Sequence, residues 1–390
     1  MRYRFRAPQL ARILLAALAL PLILAACAIE GGVPEVTPTV EQVLGPPPTS
    51  AAVAEQLATR QDTWEIGLQD AITDLYPYPQ SAAAARTSAP VVELLFPSPI
   101  LTYGYGYTTT GVLERIPTIE NGDVEVRKAD VYLDIAGNIT TTVTDVITQV
   151  EQLAVTFRWN PRLTWSDGTP VTADDSVFAY EVAKAAPPGP EARDLLSQTV
   201  SYEKLDDHTT RALLQPDYTG PTYFLSYWTP LPRHKLQGTP PEQMREAFAK
   251  APLGYGPYAV EQQGPNELRM VRNPHYFGTA PAATYLRFHT IGDLELLRAN
   301  LLNGNLDVIA ADKFTPEIFD PLSADAAQGV QVTYLPGPVW EHIDFNLDLP
   351  MLQDIRVRRA LAFGTDRQGM VDELYGGRTP VLDSWILPEQ

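Results

Sequence analysis

The chain has 390 residues, 45% hydrophobic and 9% aromatic, which is enough apolar material for packed cores. Its formal charge of −18 repels phosphate backbones, so nucleic acid is not an expected partner. A single cysteine excludes an intrachain disulfide, and 36 prolines, nearly double the usual ~5% share, point to many rigid loops.

The first predicted element is a leader. Arg2, Arg4, Arg6 and Arg12 accompany an apolar run that ends at Ala25-Ala26, with no acid before Glu30. A positive start, an apolar centre and a small-residue exit make residues 1–26 a signal peptide. The apolar run of about a dozen residues is too short to span a bilayer. Leu24-Ala25-Ala26-Cys27 resembles the bacterial lipobox, which implies that Cys27 carries the lipid anchor at the extracytoplasmic face of the cell membrane. An ordinary leader with an incidental cysteine is the competing reading. Residues 27–60 hold Pro46-Pro47-Pro48 and little to bury, and read as an extended tether. The globular part is expected to begin near Trp64, and its length calls for more than one lobe.

Leu153, Val155, Phe157 and Trp159 alternate with Ala154, Thr156 and Arg158, which predicts a strand with one buried face. Asp167-Gly168 marks a turn. Thr172 and Asp175 form an expected capping box for a helix that Pro187-Pro188-Gly189-Pro190 ends. Tyr255 to Arg272 reads as a hairpin around Gly264-Pro265-Asn266, and Tyr285 to Ile291 as a strand. Asp293 to Asn303 is an amphipathic helix with Leu294, Leu297, Leu301 and Leu302 on one face and Gly304 as its stop. A strand follows at Leu306 to Ala310. Asp354 opens a helix through Ala362, Thr365 with Gln368 suggests another capping box, and Gly376-Gly377 ends the last helix. Interleaved strands and helices place the chain in the α/β or α+β class.

Four blocks in this order resemble the family 5 solute-binding proteins of bacterial ABC importers, the dipeptide and oligopeptide binders. The most specific runs from Val155-Thr-Phe-Arg-Trp159 through Trp165-Ser-Asp-Gly-Thr-Pro170 to Thr172-Ala-Asp-Asp-Ser-Val-Phe178. The others are Leu253-Gly-Tyr-Gly-Pro-Tyr258 to Tyr276, then Leu296 to Asp307, then Asp344-Phe-Asn346 with Asp354 to Phe363 and Asp366-Arg367. The resemblance implies an α/β, two-lobed, periplasmic-binding-protein-like fold of type II, in the peptide-binding cluster. Residues 61–336 would form lobe I, with a subdomain at about 97–190, and residues 337–390 the start of lobe II. Two departures stand out. Thr108 to Val150 is long and threonine-rich, and the chain stops at Gln390 soon after the second lobe should begin, so a C-terminally truncated product is expected.

The implied function is capture of peptides between hinged lobes and delivery to an ABC permease, with ATPase subunits separate and the binder a monomer. No cofactor and no metal are implied. By the same resemblance, the loop from Tyr78 to Ala82 borders the cleft, and Pro338, Val339, Trp340, Glu341 and His342 line it. Trp340 could stack on a ligand side chain and Glu341 could take a positive group. Against that, Trp340 could pack between lobes, and Glu341 and His342 could face solvent. Trp159 and Trp165 read as structural, and Trp385 as core or lobe surface. An enzyme is disfavoured: the five histidines are scattered, with no zinc spacing, no nucleophile elbow and no phosphate loop. Asp174-Asp175 is better explained by capping, and Asp206-Asp207-His208 by a turn. A nickel-complex or oligosaccharide binder of the same family, or a sensing or scaffold lipoprotein, are the alternatives.

Overall fold

The structure is a computed structural model describing residues 62–103, 106–140, 142–218, 220–310, 341–382 and 384. Cys27, the tether, Pro338, Val339, Trp340 and Trp385 lie outside the described residues. Strand β1 (Thr63–Leu68) is followed by helix α1 (Ala82–Leu95) and a small hairpin, β2 (Ile100–Tyr103) and β3 (Gly106–Thr109). Then come β4 (Val124–Leu133), β5 (Ile139–Thr140), β6 (Ile147–Arg158), α2 (Ala173–Ala185), α3 (Pro190–Gln198), β7 (Thr199–Asp206) and β8 (Thr209–Leu214). The short helices α4 (Arg233–Leu236) and α5 (Met244–Lys250) lead to β9 (Tyr258–Gln263), β10 (Glu267–Arg272) and β11 (Tyr285–Thr290). Helix α6 (Leu294–Leu302) and β12 (Val308–Ala310) follow. After residues 311–340 the described elements are α7 (Pro350–Gln353), α8 (Ile355–Gly364) and α9 (Arg367–Tyr375).

Two five-stranded sheets organise these elements. One has the order β12-β1-β11-β10-β9, with β1 parallel to both β11 and β12. Its core face carries Leu68, Leu268, Met270, Leu286 and Phe288, all buried. On the other face the β1 backbone is approached closely by aliphatic side chains. A Cβ on Gly67 would lie 2.6 Å from side-chain methyls of both Leu297 and Leu306, so any larger residue would make those leucines shift. Helix α6 starts as expected, with the Asp293 carboxylate accepting from Leu296 N at 2.9 Å. Its apolar stripe is shallower than expected, since only Leu297 is fully buried.

The other sheet has the order β5-β4-β6-β8-β7 and is antiparallel throughout. The expectation of one buried face on β6 needs correction. Val155 and Phe157 are fully buried, but Ala154 and Thr156 on the opposite face are also only 1% and 8% exposed. The strand is central, and its partners beside those two short side chains are the longer Leu213 and Arg211. The threonine-rich stretch extends β4 and β6 beyond β7 and β8 as a ribbon edged by β5, and Ile135, Val143 and Ile147 stand exposed at its end.

The proline cluster also does more than stop a helix. Helix α2 ends at Ala185, and Pro190 then occupies the first turn of α3, where a missing N–H costs nothing. Near the C-terminus, Asp354 caps α8 as expected, but the helix runs to Gly364. The cap of α9 is Asp366 rather than Thr365: its carboxylate accepts from Gly369 N at 2.8 Å. Thr365 instead donates back to the Leu361 carbonyl. Gly376 and Gly377 end α9 with φ of 59° and 70°. None of the described residues from 341 to 384 is buried. Among the described residues no helix is long and apolar enough to cross a membrane.

Candidate functional site

Trp165 to Asp175 is the most specific stretch of sequence, and the structure gives it a stapling role. Trp165 N donates to the Thr169 carbonyl and Gly168 N to the Trp165 carbonyl, closing a turn in which Gly168 has φ of 89°. Asp167 accepts from Thr169 N at 3.1 Å, lies 2.9 Å from His234 Nε2 and 3.1 Å from Lys235 Nζ. Burial works against its ionisation, but His234, Thr169 and Lys235 outweigh that and hold it well below the usual carboxylate range. The capping box is present, and Asp175 does more than close it. Its carboxylate accepts from Thr172 N at 2.9 Å, from Arg233 N at 3.0 Å and from the Trp165 indole at 3.4 Å. Burial pushes this carboxyl up, against those hydrogen bonds.

Next along α2, Ser176 Oγ donates to the Trp228 carbonyl at 2.5 Å and lies 2.9 Å from the Tyr202 hydroxyl. Tyr202 meets Thr210, which accepts from the Trp159 indole at 3.0 Å. Burial pushes the Tyr202 phenol up to about 12, so it stays neutral. The polar groups named here either close the local turn and cap or join β6, α2, β7, β8 and the segment from Trp228 to Lys235. Trp159 and Trp165 are buried at 2% and 0% exposure, the structural role expected of them.

The loop between β1 and α1 is built differently. Tyr76 and Tyr78 point inward, with Tyr78 only 7% exposed. The Tyr78 hydroxyl donates to the Thr229 carbonyl at 2.9 Å, and its ring lies 5.6 Å from that of Trp228. Gln80, Ser81 and Ala82 are exposed, and Ser81 caps α1 by accepting from Ala84 N at 3.1 Å. The side chain of Tyr78 is therefore an anchor, and the surface it supports belongs to the residues after it. Arg245 in α5 completes the anchor, pairing with Asp74 and donating to the carbonyls of Tyr78 at 2.6 Å and Pro188 at 3.1 Å.

Of the five residues expected on the crossing strand, Glu341 and His342 are described, and both are exposed. The Glu341 carboxylate is hydrogen-bonded to the Tyr375 phenol, which raises that phenol's pKa. His342 Nε2 lies 3.1 Å from Asp344. The structure thus brings Tyr78 together with Trp228 and Arg245, and Glu341 with Tyr375. Asp206 ends β7 and Asp207-His208 form the turn into β8, as expected. No group of three or more metal-ligating side chains occurs among the described residues.

Residues 147–390 match the bacterial extracellular solute-binding proteins, family 5, in that family's middle region. The chain belongs to this family. A relative in Brucella ovis, provisionally described as an ABC transporter peptide-binding protein, is 26% identical over 230 residues, covering 58% of this chain and 42% of that protein. Among solved structures, the oligopeptide-binding protein of Thermus thermophilus with a pentapeptide is similar, with TM-score 0.52 and 19% identity. That likeness covers 84% of this chain and 59% of the other. NikZ of Campylobacter jejuni with Ni(L-His) gives TM-score 0.54 and 18% identity, over 85% and 59% of the two chains. The chain therefore spans about two fifths of that relative's length and about three fifths of those structures. Family 5 neighbours of this kind establish the fold as that of the type II periplasmic binding proteins, as the resemblance implied.

Proposed function

We propose that the protein is a lipid-anchored, extracytoplasmic solute-binding component of an ABC importer, capturing peptides and passing them unaltered to a permease. One observation carries this reading: the match of residues 147–390 to the extracellular solute-binding proteins, family 5. The peptide preference is supported by the description of the Brucella ovis relative and by the pentapeptide held in the Thermus thermophilus structure. Residues 61–336 are assigned to the first lobe and 337–390 to the start of the second. The ligand surface is assigned to the exposed part of the Tyr78–Ala82 loop and to residues 338–342. Delivery needs no chemistry from this chain, because ATP hydrolysis resides on separate subunits. Cys27 holds the protein to the membrane by its acyl chains, so Cys27→Ser should release it into the soluble fraction.

A second reading, capture of a nickel complex, is favoured by the Ni(L-His) bound to NikZ. Calorimetry of the full chain decides between them. Heat on titration with an equimolar pentapeptide pool, with every peptide recovered intact by mass spectrometry, supports the first. Heat only with nickel–histidine supports the second. Consumption of peptide would favour an enzyme and silence with both probes a scaffold or a binder of another solute, and either overturns the peptide-capture reading.

A further inference from the structure

The loop assigned to the ligand surface has no regular structure between Gln69 and Gln80, yet three sets of contacts hold it. From below, the Tyr78 hydroxyl reaches the Thr229 carbonyl at 2.9 Å. From one flank, the segment before α3 abuts it so tightly that a Cβ on Gly189 would come 1.9 Å from the Pro79 carbonyl oxygen. Beside the same segment, Arg245 enters from α5 with its side chain only 21% exposed. Its guanidinium pairs with Asp74, donates to the carbonyls of Tyr78 and Pro188, and lies 4.8 Å from the centre of the Tyr76 ring. One planar fork thus fixes a side chain, two backbone carbonyls and a ring on both sides of the loop's inner edge. A lysine has three N–H donors on a single nitrogen and no plane, so it cannot reproduce both the forked contacts and the face laid against the ring. The contact to the Tyr78 carbonyl is to the loop's own backbone and the one to Pro188 ties it to the neighbouring segment, so Arg245 fixes the path of the chain through Pro79 and therefore where Gln80, Ser81 and Ala82 stand.

We infer that Arg245 is a positioning residue for ligand capture: it holds the Tyr76–Ala82 loop in its ligand-ready path without touching ligand. This rests on the solute-binding reading above. A loop that reaches its competent path only a fraction of the time weakens apparent affinity by that fraction. The loss then appears in the association rate, because the complex, once formed, is the same complex.

The test uses the full chain and its R245K variant, which keeps the charge and loses the fork. Three measurements are taken: amide exchange across residues 74–84, stopped-flow tryptophan fluorescence with the pentapeptide pool, and thermal unfolding. The expected result is faster exchange in that loop with β6 unchanged. The Kd for the pool rises about tenfold, with the association rate falling by that factor and dissociation within about twofold. Asp74→Asn, which leaves Arg245 an acceptor and both carbonyl contacts, gives the same pattern at about threefold, and serves if R245K does not fold. A variant with a lower melting temperature but a Kd within about twofold of the native chain overturns the inference and leaves the solute-binding reading standing. A native chain that binds neither the pool nor nickel–histidine overturns the peptide-capture reading itself, and the inference with it.

Discussion

Replacing Asp175 with alanine should be among the costliest single changes in this chain. The carboxylate is 5% exposed and is the acceptor for two backbone N–H groups, of Thr172 and Arg233, and for the Trp165 indole. Each buried donor left without a partner costs about 1–3 kcal/mol, and loss of a helix cap typically costs about 1 kcal/mol. Removing a desolvated carboxylate offsets part of this, since burial already disfavours its charged form. A net cost of about 3 kcal/mol follows. Urea unfolding of the full chain at neutral pH, followed by tryptophan fluorescence and by circular dichroism, measures it. Asp175→Asn adds a check on sign. The native carboxyl titrates above its ordinary 3.8, so its ionisation opposes folding as pH rises from 3.8 through the higher folded value. The asparagine variant lacks that slope, and its deficit against the native chain should narrow over that window. A cost below about 1 kcal/mol for the alanine variant would show that Asp175 is a local cap and not the joint between α2 and the segment at Arg233.

Two further outcomes are expected. Asp123, with its side chain 1% exposed, is penalised by burial, but hydrogen bonds from Arg115 at 2.5 Å and Arg158 at 2.9 Å outweigh that and hold it below 3.8. Its contribution is present above pH 3.8 and lost as pH falls through the lower folded value, so Asp123→Asn should cost about 2 kcal/mol at neutral pH and flatten the acid limb of a stability–pH curve. An unchanged acid limb would remove this pair of arginines from the account. Gly256→Ala would place a methyl group 2.1 Å from the Leu94 carbonyl oxygen, so α1 must shift, at a cost of about 1–3 kcal/mol in thermal or denaturant unfolding. A loss under about 0.5 kcal/mol would mean that α1 yields more easily than its buried Val91 and Leu95 suggest.

The features legible in the sequence are those whose physics closes within a few residues. The capping box at Thr172 and Asp175, the Asp167-Gly168 turn, the Asp293 cap with its Gly304 stop and the hairpin at Gly264-Pro265-Asn266 each rest on short-range hydrogen bonds or backbone angles. The α9 cap falls one residue after the expected Thr365 because Thr365 and Asp366 offer similar chemistry, and only the three-dimensional path decides which reaches a free N–H. Family membership was also legible, since it rests on ordered short motifs.

Tertiary structure alone decided the rest. The β1 strand pairs with residues more than 200 positions away, and Arg245 reaches Tyr78 across 167 residues. No local pattern announces either, because a helical arginine looks the same whether it faces water or a buried carbonyl. The inward turn of Tyr78 likewise follows from Trp228 and Thr229 waiting behind it. Sequence determined which pieces would form and to what family they belong. Packing between distant pieces determined which of their polar groups were used up in holding the fold and which were left at the surface.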